Sequence, residues 1–323
     1  MVLKSYKAMF RNMLVRAVFY IFVLLHISVG GALNAGVRDI NARYVTTNAV
    51  SSLKHYSREL YSNAYRKTLP ASFLVLNHYG QTLYEKNADT KMFPASLTKL
   101  MTVYVVLEAV KQGKLSFNTQ LVTSKNATSM PASKLWLKEG DHISVREALL
   151  SLLIKSCNDV SVVLAEGYSG TEDRFAKLMN AKAVELGMYN THFENASGWH
   201  HPDQVTTAHD MAKLILALVR DFPQYNYLFS INSFLYKQSL YKNTNPVRRN
   251  LKGVDAIKTG YTNPAGWNIV TTARRGNTRL VGVILGENSH FARDRNMLKL
   301  MERYFTLSTL RAGNKQNPAV KYG

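Results

Sequence analysis

The sequence predicts an α/β fold of the α+β kind: one antiparallel sheet built from both ends of the chain, flanked by helices, with a helical subdomain inserted between its halves. Three observations predict it. Strand-like runs split by a turn signal lie near residue 75, period-two runs return only after Gly253, and residues 100–220 carry helical periodicity with no strand expected among them.

Lys4, Lys7, Arg11 and Arg16 precede an apolar run at 17–29 and then the small residues Gly30, Gly31, Ala32 and Ala35. That layout is a secretory signal peptide, and the run is short for a membrane span. Residues 1–35 are therefore expected to direct export to the periplasm or outer face of the cytoplasmic membrane, an uncleaved anchor being the alternative. Residues 36–70 form a polar arm with one amphipathic stretch at 50–65. The catalytic domain is expected at 71–305. It opens with Phe73-Leu74-Val75-Leu76 and Thr82-Leu83-Tyr84, joined by the hairpin signal Asn77-His78-Tyr79-Gly80.

The run from Ser96 to Gly113 is apolar nearly all round, as a helix buried inside a domain reads. Ser144 and Glu147 make a capping box for the next helix, which stops near Ser156. A helix at 160–166 follows. Another runs from Thr171 and closes at Gly187, and a fourth, at 211–219, is boxed by Thr207 and Asp210. The period-two runs are 254–262, 267–273 and 279–286, and a helix at 291–305 covers one face of their sheet. Residues 306–323 read as a disordered tail.

Composition narrows the class. With 323 residues and 46% hydrophobic side chains the chain has ample material for a core. Its 41 basic against 21 acidic residues give a net charge of +20, which suits a polyanion such as an anionic membrane or an acidic wall polymer, or plain solubility. No basic run is interleaved with stacking aromatics, which argues against nucleic acid. The lone cysteine, Cys157, excludes an intramolecular disulfide and reads as a small buried hydrophobe rather than a nucleophile. Adjacent side chains diverge, so His200 and His201 are not expected to share a metal, and no metal or cofactor is called for.

Ser96 and Lys99 lie three apart, on one face of the expected helix, at its N-terminus. There the dipole favours negative charge on the serine oxygen, and burial favours a neutral amine able to take its proton. The spacing alone decides little, since Ser51 to Lys54 and Ser239 to Lys242 repeat it. Two further motifs decide more. Ser156-Cys157-Asn158 sits in a turn between helices, and Lys258-Thr259-Gly260 sits on an expected strand.

This ordered trio resembles that of the serine D-alanyl-D-alanine carboxypeptidases, the low-molecular-mass penicillin-binding proteins. Leu83-Tyr84-Glu85-Lys86-Asn87-Ala88, Asn195-Ala196-Ser197-Gly198, Tyr261-Thr262 and Ala265-Gly266-Trp267-Asn268 are similar to that family's motifs as well. The resemblance implies a β-lactamase/transpeptidase-like fold and hydrolysis of peptidoglycan stem peptides ending in D-Ala-D-Ala, with β-lactams as covalent inhibitors. It implies Ser96 as nucleophile, Lys99 as base, Ser156 as proton relay, and Asn158 bonding both Lys99 and a substrate carbonyl. The backbone N–H groups of Ser96 and Tyr261 would form the oxyanion hole. Lys258, Thr259 and Arg293, beside Gly260, would hold the terminal carboxylate.

A D-alanyl endopeptidase acting on cross-links would use the same groups. A β-lactamase is disfavoured, because no Glu-x-x-x-Asn element lies between Asn158 and Lys258 to place a deacylating water. A non-catalytic wall-binding protein is disfavoured by the intact serine and lysines. Many members of the family carry a further all-β domain and a C-terminal amphipathic helix; with the chain ending at Gly323, attachment to a membrane by that route is not expected.

Overall fold

The structure, a computed structural model, describes residues 69–316 apart from Thr244, with side chains as far as Leu310. The expected signal peptide and nearly all of the expected arm lie outside the described residues.

Five strands form the main sheet: β1 (Ser72–Asn77), β2 (Thr82–Lys86), and, in the following numbering, β7 (Val254–Thr262), β8 (Gly266–Arg275) and β9 (Thr278–Glu287). Their order is β2-β1-β9-β8-β7, antiparallel throughout, so the first strand of the sheet pairs with the last, β1 with β9. Side-chain alternation along β8 and β9 sets the register, and the two faces of the sheet are buried differently. Val270, Val281, Val283 and Leu285 join the large core shared with the helical insert. Ile269, Ala273, Leu280 and Ile284 join a second core beneath the C-terminal helix, with Met297, Met301 and Phe305.

The insert is arranged around α1 (Lys99–Lys111), buried continuously from Lys99 to Leu107. A ribbon of β3 (Gln120–Val122) and β4 (His142–Ser144), with the short α2 (Lys125–Ser129) between them, follows it. Next come α3 (Val145–Leu150), a π-turn (Ser151–Lys155), α4 (Asn158–Ser169), α5 (Glu172–Glu185) and α6 (Ala208–Asp221). The Ser144 capping box forms, and Thr171 and Thr207 accept the N–H groups of Arg174 and Asp210 as N-caps. Helix α1 packs against α4, α5 and α6. The short α7 (Tyr227–Ser230), a hairpin of β5 (Ser233–Tyr236) and β6 (Ser239–Lys242), and α8 (Pro246–Asn250) lead back to the sheet.

Two expectations are corrected. The insert does contain strands: β3 and β4 are three residues each, and Leu121 is the single buried side chain of β3, so neither carries a readable period. The last helix, α9, spans His290–Gln316, so residues 306–316 are helical rather than a disordered tail. Thr306, Ser308 and Thr309 return their hydroxyls to the carbonyls of Glu302, Tyr304 and Phe305, which satisfies these polar groups on the helix itself. Residues 317–323 lie outside the described residues.

Ile284 is fully buried between β8 and α9, whereas Leu240 is 55% exposed. In denaturant unfolding, Ile284→Ala should cost about 2–5 kcal/mol. Leu240→Ala should change stability by less than about 0.5 kcal/mol.

Candidate active site

Ser96 lies in a 3-10 turn, Ala95–Thr98, that runs directly into α1 at Lys99. The sequence reading placed Ser96 on the α-helix itself; the tighter turn still brings the hydroxyl to the amine, since i and i+3 are eclipsed in 3-10 geometry. Lys99 Nζ lies 3.1 Å from Ser96 Oγ.

Glycines let two other segments close on this turn. A Cβ on Gly198 would stand 1.9 Å from the Ala95 carbonyl oxygen, and one on Gly260 would stand 2.9 Å from the Ser96 nitrogen. From behind, buried Asn268 ties the approach to the turn into the sheet. Its Nδ2 donates to the carbonyls of Phe93 and Pro94 at 2.9 and 3.1 Å, and its Oδ1 accepts the Gly286 N–H at 2.8 Å.

Ser156 ends the π-turn in a left-handed conformation, φ 63°, which turns the chain into α4 and aims its hydroxyl back at the sheet. Lys258 Nζ donates to Ser156 Oγ at 2.8 Å and to the Thr259 carbonyl at 2.7 Å. One turn away, Asn158 Oδ1 accepts from Lys99 at 2.7 Å, while its Nδ2 donates to the Pro131 carbonyl at 2.9 Å. One amide hydrogen expected to be available to substrate is thus spent on the protein. Cys157 is fully buried, and burial pushes its thiol far up, as suits an inert side chain.

Both lysines are driven toward the neutral form. Burial lowers Lys99 well below the ordinary lysine value, and the charge of Lys258 lowers it further. Lys258 is lowered by burial to about 7, and the charge of Arg293 adds to the shift. Arg293 is not a surface arginine. It is 5% exposed, its guanidinium lies over the Trp267 ring at 5.6 Å, and it pairs with Asp294 at 2.7 Å. Tyr261 is half exposed and stacks on Trp267, with ring centroids 4.1 Å apart.

Several site groups escaped the sequence reading. The Ser197 carbonyl accepts from Lys99, and Asp159, fully buried, accepts the backbone N–H groups of Leu135 at 3.0 Å and Trp136 at 2.9 Å, shaping the loop beside Asn158. Asn268 and Ser197 do lie in segments whose resemblance was visible, but a backbone carbonyl carries no residue-type signal. His200 and His201 diverge: the first packs edge-on against Phe93 at 4.9 Å, and the second turns toward Glu194 and Asp203, each 3.9 Å away. Those three offer ligand atoms within 4.8 Å of one another on a loop open to solvent.

A family model described as D-alanyl-D-alanine carboxypeptidase, peptidase S11, matches residues 65–289. The chain belongs to this family. Within the D-alanyl-D-alanine carboxypeptidase family, it is 33% identical over 254 residues to D-alanyl-D-alanine carboxypeptidase DacF of Bacillus subtilis, covering 77% of this chain and 65% of that one. It is 38% identical over 230 residues to DacC of Escherichia coli, covering 69% and 57%. The chain thus spans somewhat under two thirds of the length of these curated relatives. Among solved structures of this fold it is similar to penicillin-binding protein D2 of Listeria monocytogenes in its ampicillin-bound form, with TM-score 0.66, 32% identity, and coverage of 72% of this chain and 95% of that one.

Gly198 has φ +79° as well as no room for a Cβ. Gly198→Ala should displace the Ser96 turn, lowering the rate of covalent labelling by fluorescent penicillin by about 100-fold. Gly80→Ala, at a turn with open space around the new Cβ, should leave labelling unchanged.

Proposed function

We propose that this protein is an exported serine D-Ala-D-Ala carboxypeptidase that removes the terminal D-alanine of peptidoglycan stem peptides through an acyl-enzyme on Ser96. The observation that carries this reading is the 3.1 Å approach of a buried lysine amine to a serine hydroxyl, with neutral acceptors on the amine's other sides. Membership of the carboxypeptidase family supports it.

The chemistry runs in two halves. Neutral Lys99 takes the Ser96 proton as Oγ attacks the carbonyl of the penultimate D-alanine. The oxyanion is received by the backbone N–H groups of Ser96 and Tyr261, which Gly260 keeps close together. Lys258, Thr259 and Arg293 draw in the terminal carboxylate. Collapse of the tetrahedral intermediate breaks the peptide bond, and the proton that Lys99 accepted passes to the departing nitrogen by way of Ser156, which is hydrogen-bonded to Lys258, so that Lys99 is neutral again. Water, deprotonated by Lys99, then cleaves the ester and releases the shortened peptide. The same serine would be acylated by β-lactams, which the ampicillin-bound relative supports.

Export rests on the N-terminal layout of the sequence. Among the described residues, no helix is long and apolar enough to cross a membrane.

Incubation with a D-Ala-D-Ala peptide should release D-alanine, and labelled penicillin should modify Ser96 as read by peptide mass. Ser96→Ala should lose both activities by at least about 1000-fold; retention of full peptidase activity would falsify the nucleophile assignment. The pH profile follows from the two amines. As pH falls, Lys99 becomes protonated and kcat/KM drops on the acid side. As pH rises through about 7, free-enzyme Lys258 loses the charge that attracts the carboxylate, so kcat/KM should fall again on the alkaline side. A profile flat from pH 6 to pH 9 would contradict this assignment.

A further inference from the structure

Lys99 serves as a base only while its lone pair faces the Ser96 hydroxyl. A neutral amine has two N–H donors and one lone pair. Asn158 Oδ1 and the Ser197 carbonyl accept the two donors, which leaves the lone pair for Ser96 Oγ. The aim of the base therefore depends on where the Ser197 carbonyl is held.

Side chains from two helices hold the backbone just before that carbonyl, at Ala196 and Phe193. Thr102 Oγ1 of α1 donates to the Ala196 carbonyl at 2.7 Å. Glu172, the first residue of α5, accepts the Ala196 N–H on Oε1 at 2.9 Å. Further along α5, Asn180 grips both backbone groups of Phe193, at 2.8 Å each. Of these anchors Glu172 alone carries charge. Burial raises its carboxyl above the usual carboxylate range, while the Ala196 N–H favours the ionised form.

We propose that Glu172 is a positioning residue of the acylation step: by holding the Ala196 N–H it fixes the Ser197 carbonyl against Lys99, and its negative charge faces the same amine. The inference rests on Lys99 being the base. The groups facing Lys99 are Lys258 from β7, Cys157 from the turn, Asp159 from α4 and Glu172 from α5. Lys258 disfavours the ammonium form, Asp159 and Glu172 favour it, and Cys157, whose buried thiol stays neutral, brings no charge. Glu172 in turn faces Glu166 at the end of α4, Asp173 beside it, and Lys99.

Two substitutions separate the roles of acceptor and charge. Glu172→Gln keeps an oxygen for the Ala196 N–H and removes the charge, so kcat on the D-Ala-D-Ala peptide should stay within about twofold of wild type. The acid limb of kcat/KM should move down by about half a pH unit, because Lys99 loses an anion that favoured its protonation. Glu172→Leu removes the acceptor as well, and kcat should fall about tenfold with KM little changed. An unshifted limb in the Gln variant, or a Gln variant as slow as the Leu variant, overturns the proposal. Should the Leu variant fail to fold by thermal melting, the limb position in the Gln variant decides alone. Lys99→Ala tests the underlying reading separately: if it still acylates at the wild-type rate, Lys99 is not the base, whatever Glu172 does.

Discussion

A lysine amine shut away from water is the constraint on which the rest of the structure depends. Lys99 is 1% exposed, and its hydrogen-bond partners are a serine hydroxyl, an asparagine amide oxygen and a backbone carbonyl, none of them charged. A buried ammonium needs a counter-ion in contact to survive, and here the anions stand back while another cation, Lys258, stands near. The neutral form is what this environment tolerates. Burying it takes a helix packed against α4, α5 and α6, and a 3-10 turn at its start that rests on β7 and β8.

The same enclosure holds backbone conformations that would relax in isolation. Ala95 and Ser156 have φ of 48° and 63°, in the left-handed region that favours glycine. Each is fixed by groups on both sides: Ala95 by the press of Gly198 and the Asn268 tether, Ser156 by the π-turn before it and the Lys258 bond. Strain of this kind persists where neighbours over-determine the geometry, and here it sits at Ser156 and at the residue just before Ser96.

Much of this was legible in the sequence, for physical reasons that differ by level. The strand of Lys258 was readable residue for residue, because alternation between two buried faces leaves a period-two trace, and 254–262 is the strand observed. The caps at Ser144 and Thr207 were readable because capping uses particular side chains at a fixed spacing. The β3-β4 ribbon was not, since one buried leucine makes no pattern. Within the site, Ser96, Lys99, Ser156, Asn158 and Lys258 come together as their motifs suggested, whereas the Ser197 carbonyl and the Glu172 contact arise from a loop closing on a helix. Such contacts depend on tertiary approach, and nothing in local composition announces them.

The two buried lysines also explain why a site of this kind needs both. They share desolvation, but their neighbours differ: Lys258 has Arg293 beside it, and Lys99 has Lys258 beside it. Environments that push two titrating groups apart assign them different work. On the proposed reading, Arg293 already has Asp294, and an arriving carboxylate supplies the counter-ion that Lys258 lacks, so Lys258 gains its proton more firmly in the complex than in the free protein. A fully charged Lys258 then repels a proton on Lys99, favouring the lone pair at the moment Ser96 needs it. Recognition of the substrate's terminus and readiness of the base become one electrostatic event, carried by a single cation between them.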